Sequence, residues 1–71
     1  MAETVYKVIT LVGTSNESWE KAAAAVIDKA SQTLRDIRVA RIVEQDIHIE
    51  PGNSLSYRVK MEVSFKYEGG A

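Results

Sequence analysis

The sequence predicts an α+β domain with the element order β-α-β-β, a three-stranded antiparallel sheet wrapped on one helix. Three observations predict it. From Leu55 to Tyr67 apolar residues alternate without a miss with Ser56, Arg58, Lys60, Glu62, Ser64 and Lys66, the pattern of a strand with one apolar and one charged face. From about Asn16 to Asp36 the apolar residues fall at three-and-four spacing, the stripe of an amphipathic helix. Pro51, Gly52, Asn53 and Ser54 form a turn cluster that folds one strand back on the next.

Taken in order, Thr4 to Val12 is rich in β-branched residues and reads as the first strand. Its alternation is blurred, because Val5, Ile9 and Leu11 on one parity and Tyr6, Val8 and Val12 on the other are all apolar, as suits a strand covered on both faces for part of its length. Gly13 is expected to break it. Thr14 and Ser15 are good helix caps, and Thr14 with Glu17 has the spacing of a capping box.

The helix then carries Trp19, Ala22, Ala23, Val26, Ile27, Ala30, Leu34 and Ile37 on the stripe that faces the sheet. Its back carries Lys21, Asp28, Lys29, Gln32 and Arg35, while Ala24 and Ala25 widen the apolar side. Those alanines serve close approach by a neighbour, or simply helix propensity. Arg38 to Glu50 reads as the second strand, with mixed parity before Val43 that calls for a bulge or for a strand sandwiched between subunits. With the first strand up and the helix down, the third strand fits between the other two with every pairing antiparallel, giving the order 1-3-2. The closing EGGA reads as a frayed end.

Seventy-one residues make one domain, and so short a chain buries only about 60% of the surface its unfolded form exposes. With no cysteine, neither a disulfide nor a thiolate metal site can reinforce it, and the chain suits a reducing cytoplasm. Oligomerisation is the device that remains. One helix is also shorter than the strands it must cover, which leaves Phe65 and Tyr67 facing a neighbour's surface. A formal net charge of −1 gives no basic stripe for nucleic acid, and no apolar run is long enough to span a membrane or to serve as a signal peptide. The reading is a soluble self-associating protein.

The opening VYKVITLVGTS followed by SWE, the segment TLRDIRVARIVEQ and the closing YRVKMEVSFKYE, in this order and spacing over nearly the whole chain, together resemble the dodecins, small proteins that assemble as hollow dodecamers and bind flavins. The resemblance implies a hollow homododecamer of cubic symmetry, storage of a small ligand, and no enzymatic activity. It implies a site for FMN or riboflavin at or near Val39, Gln45 and Arg58. This sequence departs from the flavin-binding pattern there: Val39 stands where a tryptophan stacks on the isoalloxazine ring, Arg58 where a glutamine bonds the ring, and Asp46 where a basic residue is common. A valine has no aromatic face, and stacking contributes on the order of 1 kcal/mol beyond buried area. Trp19, on the helix stripe, reads as core rather than a substitute plate. The segment DIRVARIVEQD is similar to the branch of the family that lacks that tryptophan, described as calcium-binding.

The residues themselves bear on this. Glu44, Asp46, His48 and Glu50 share one parity, so three carboxylates project from one face of one strand about 7 Å apart. Calcium takes six to eight oxygen ligands, more than one strand supplies, whereas a carboxylate near a symmetry axis is presented several times over. Glu44 and Asp46 are the candidate ligands for Ca²⁺. The competing reading of the same row is a solvated face cross-paired with Arg58, Lys60 and Lys66. No motif for hydrolytic, redox or phosphate chemistry is present, and GTS is accounted for as strand end and helix cap. A plain structural scaffold is the third reading.

Overall fold

The computed structural model describes residues 3–67. Strand β1 (Tyr6–Ser15) leads into helix α1 (Trp19–Thr33), followed by β2 (Ile37–Ile49) and β3 (Leu55–Lys66), and the sheet order is β1-β3-β2 with both pairings antiparallel. The expected architecture and strand order are therefore those observed. The expected frayed end, EGGA, falls on residues 68–71, outside the described residues.

β3 lies in the middle because its odd positions form a fully apolar face long enough to floor a core. Val59, Met61 and Val63 are buried against Ala22 and Val26 of α1, with Ile9, Leu11, Trp19, Ala23, Ile37 and Ala40 packed around them. The even residues of β1 and β3 look the other way. On β1 that outward face carries Tyr6, Val8 and Val12, all exposed, so the blurred alternation of this strand reflects a second apolar face that the chain leaves bare.

Three local expectations change. Gly13 does not break β1: the strand runs on to Ser15, and Gly13 pairs with Val59. The glycine is there because α1 presses onto it. A Cβ at this position would strike the Cγ2 of Val26 and lie 2.6 Å from the carbonyl oxygen of Ala22. Neither Thr14 nor Ser15 caps the helix, since both are held in the β1–β3 ladder. The N-cap is Ser18, whose hydroxyl accepts the Lys21 amide at 3.0 Å, while the Ser15 hydroxyl accepts the Glu17 amide in the linking bend. At the other end the helix stops at Thr33, three residues before Asp36. Asp36 turns the chain with φ 57°, a left-handed conformation that aspartate tolerates better than most residues, and Ile37 joins β2 opposite Phe65 instead of extending the helical stripe.

β2 pairs with β3 in a register interrupted between Ile37 and Val39 and again between Ile42 and Glu44. The mixed parity of its first half is thus explained by two bulges, each of which shifts the strand by one residue so that Ile37, Ala40, Ile42 and Gln45 all face the helix side. The β2–β3 hairpin closes on a turn in which the Asn53 amide donates to the Glu50 carbonyl at 2.9 Å. Pro51 and Gly52, the latter at φ 88°, occupy the central positions of a type II turn.

The molecule is 56 Å long and 17 to 20 Å across. Fifteen helical residues cover about 22 Å of that length. The far part of the hairpin therefore overhangs the helix, and Ile47, Ile49 and Leu55 stand exposed on the side the helix would have covered. At the opposite end Tyr67 is exposed and Phe65 half-buried, as the mismatch of helix and strand lengths requires.

Candidate functional site

The outward face of β2 and β3 is a ladder of opposite charges set by register. Arg41 stands opposite Glu62, Glu44 opposite Lys60, and Asp46 opposite Arg58. Directly opposed residues of an antiparallel pair bring their side chains within reach, and two of these three pairs close as ion pairs. Arg41 Nη2 donates to Glu62 Oε1 at 2.7 Å. The Asp46–Arg58 pair is stronger in geometry: Nε donates to Oδ1 at 2.7 Å and Nη2 to Oδ2 at 2.8 Å, a two-pronged match of guanidinium to carboxylate. These hydrogen bonds hold the Asp46 carboxyl below its usual range, opposed by desolvation and helped to a lesser degree by the charges of Arg58 and His48.

Glu44 and Asp46 are brought side by side. With Arg58, Lys60, Val12 and Val59 they line a cavity of about 150 Å³ that opens to solvent. His48 lies further along the same face, its Nδ1 4.0 Å from Glu50 Oε2. Among the described residues no three carboxylate or imidazole side chains converge tightly enough to enclose a cation. One chain thus brings two carboxylates together beside an open cavity without forming a closed cage.

Sequence reasoning missed what fixes Asp46 from behind. Trp19, in the first turn of α1, donates its indole N–H to the Asp46 carbonyl oxygen at 3.1 Å and packs edge-on against Tyr57, with ring centroids 5.2 Å apart and planes at 77°. Trp19 is core-directed as its stripe position implied, but its polar end is committed to the β2 backbone. No pattern in the sequence announces a contact that spans 27 residues.

Val39, Gln45 and Arg58 are not brought together within one chain. Val39 faces outward opposite Ser64, which pairs on its other side with Val8, and is 58% exposed. Arg58 shares that face but lies six positions along β3 from Ser64, about 20 Å away. Gln45 points to the opposite side, where it lines an open groove of about 460 Å³ with Trp19, Glu20, Ala23, Ala24, Ile27 and Ile42. The small residues Ala23 and Ala24 leave room there, so the groove is apolar and shallow.

The dodecin family model matches residues 5–68. The calcium dodecin of Mycobacterium tuberculosis is 51% identical over 63 residues, which cover 89% of each chain. The dodecin of Thermus thermophilus is 38% identical over 64 residues, 90% of this chain and 93% of that one. Among solved structures, the calcium-chelating antigen calcium dodecin of M. tuberculosis, described as having a novel calcium-binding site, superposes with a TM-score of 0.87 at 47% identity, covering 96% of this chain and 97% of that one.

Proposed function

This chain belongs to the dodecin family, and we propose that it acts there as a non-enzymatic, self-assembling storage protein, a hollow homododecamer whose ligand is a divalent cation, Ca²⁺. The observation that carries the cation is the placement of Glu44 and Asp46 side by side on the outward face, above one solvent-open cavity. The similarity to a relative named for calcium supports the same ligand. Calcium favours carboxylate and carbonyl oxygens, and copies related by a symmetry axis supply what one chain lacks of the six to eight it takes.

Assembly is supported by what the chain leaves uncovered. The apolar outward row on β1, the overhanging isoleucines of β2 and the groove beside α1 exceed the scattered exposed residues normal for a monomer. Burying them against other copies supplies the stability that so small a core lacks. Flavin is the less favoured ligand, because Val39 offers no ring to stack.

Native mass spectrometry of the purified protein should give a mass of twelve subunits, with metal retained at low collision energy. A monomer or dimer at micromolar concentration would overturn the assembly. Because a cation that binds only the folded particle stabilises it by RT ln(1 + [L]/Kd), the melting temperature should rise with added Ca²⁺. Asp46→Asn should abolish that rise while leaving the metal-free melting temperature close to wild type, since an exposed ion pair contributes little. Melting curves that coincide in EDTA and in millimolar Ca²⁺ would end the calcium reading.

A further inference from the structure

We propose that the β2–β3 hairpin of one copy seats in the groove beside α1 of the next, so that copies join head to tail through two different patches of the same chain. The inference rests on the self-assembly reading and deepens it by naming the surfaces that meet. The chain exposes 5373 Å², about 1000 Å² more than the roughly 4400 Å² of a compact monomer of its mass. A stable interface removes about 800 Å² from each partner, so the surplus has the size that contact with a further copy takes away. It follows from shape: the molecule is 56 Å long, and the hairpin runs on past the first turn of α1, which Trp19 ties to Asp46.

The two patches match. On the hairpin, Ile47, Ile49 and Leu55 form an apolar ridge on the helix side, with Ile49 65% exposed. From Ile47 to the turn at Glu50 the ridge runs about 10 Å. The groove, of about 460 Å³, lies between Trp19, Ala23, Ala24 and Ile27 of α1 and Ile42 of β2. The eight helical steps from Trp19 to Ile27 make it about 12 Å long, and the two alanines keep it open. Ridge and groove cannot meet within one chain. Gln45 in the groove wall and Ile49 on the ridge share one face of one strand, so the extended backbone holds the ridge about 13 Å beyond the wall. A second copy brings the ridge that the groove lacks. A small molecule is a poorer occupant, because Glu20 and Gln45 are the only polar lining, and small-ligand sites fix orientation through several converging polar groups. Because ridge and groove are different patches, the contact is heterologous and must close into a ring. In a twelve-copy particle of cubic symmetry the axes are twofold and threefold, and twofold contacts are mutual, so this contact closes rings of three.

The chain has no cysteine, so a pair of introduced thiols reports on this contact alone. The test is Ala24→Cys combined with Ile49→Cys, both exposed positions outside the core, treated as the assembled particle with a short bismaleimide and run on a denaturing gel. Covalent trimers should dominate, with dimers as the incomplete product, and each single-cysteine variant should stay monomeric on the gel. An intact particle that yields no cross-link would overturn the proposal and leave the groove to another occupant. Complete reaction that stops at dimers would show a mutual contact and overturn the head-to-tail arrangement. A chain that is monomeric before any treatment would instead refute self-assembly, and this inference with it. Should the double-cysteine variant fail to assemble, charge substitutions decide. Ile49→Asp and Ala24→Lys should each raise the protein concentration at which the particle dissociates about tenfold or more, since each buries an unpaired charge. Their combination in one chain should recover most of that loss in sedimentation on dilution. A combined variant no more stable than the weaker single one would refute the contact.

Discussion

Gly13→Val should leave the protein largely unfolded. Strand propensity predicts the reverse, since valine is favoured over glycine in a strand by up to about 1 kcal/mol. Sterics decide the sign. The first added carbon already meets Val26 Cγ2 and lies 2.6 Å from the Ala22 carbonyl oxygen, and a helix backbone cannot retreat without lifting Ala22 and Val26 off Val59. Overpacking of this kind costs about 1 to 3 kcal/mol for small additions and more for a branched side chain, against a total stability that is only about 5 kcal/mol in small domains. Thermal unfolding should show Gly13→Ala destabilised and Gly13→Val without a cooperative transition. Combining Gly13→Ala with Val26→Ala should recover part of the loss and no more, because the Ala22 carbonyl remains in the way. A Gly13→Ala protein that melts at or above the wild-type temperature would show that the helix does not sit on this strand as described.

Trp19→Ala should be the next most damaging, at about 2 to 4 kcal/mol, and should also reach the candidate site. The ring contributes an edge-to-face pair with Tyr57, worth about 0.5 to 1.5 kcal/mol beyond its buried area, and a hydrogen bond to the Asp46 carbonyl worth about as much. The remainder is lost apolar burial at the core's edge. Trp19→Phe separates the two effects. It should retain most of the packing and lose about 1 kcal/mol with the hydrogen bond, while freeing the backbone at Asp46. Amide hydrogen exchange along β2 around Asp46 should then rise more than exchange in β3. Uniform behaviour of both strands would mean that the indole serves packing alone.

Much of the fold was legible because its signals are local. The alternation from Leu55 onward identified the central strand, the apolar stripe identified the helix, and Pro51-Gly52 identified the hairpin turn, each by a periodicity or a backbone preference carried within a few residues. The irregular first half of β2 announced its bulges as broken parity, although which residues were bulged became definite only when β3 supplied partners for Ile42 and Glu44. The boundaries around α1 misled for a reason that can be stated. Thr14, Ser15 and Ser18 are all competent caps, and pairing of Ser15 with Tyr57 leaves Ser18 as the one free to serve.

The candidate site divides the same way. Sequence alone determined that Glu44, Asp46, His48 and Glu50 share a face, because parity in a strand is fixed by the pleat. It also determined that Arg58 and Lys60 share one face of the neighbouring strand. Whether carboxylates and cations meet depends on register, which turns on the one-residue shift at Val43 and on the length of the Glu50–Ser54 turn. Only the tertiary structure decided that Asp46 stands opposite Arg58 and closes a two-pronged pair with it. It likewise decided that Gln45 lies on the other side of the sheet from Val39 and Arg58, and that a tryptophan from the helix holds the Asp46 backbone. A chain specifies which residues share a strand face through local geometry; which of them touch is set by how whole elements slide and pack, and that depends on contacts remote in sequence.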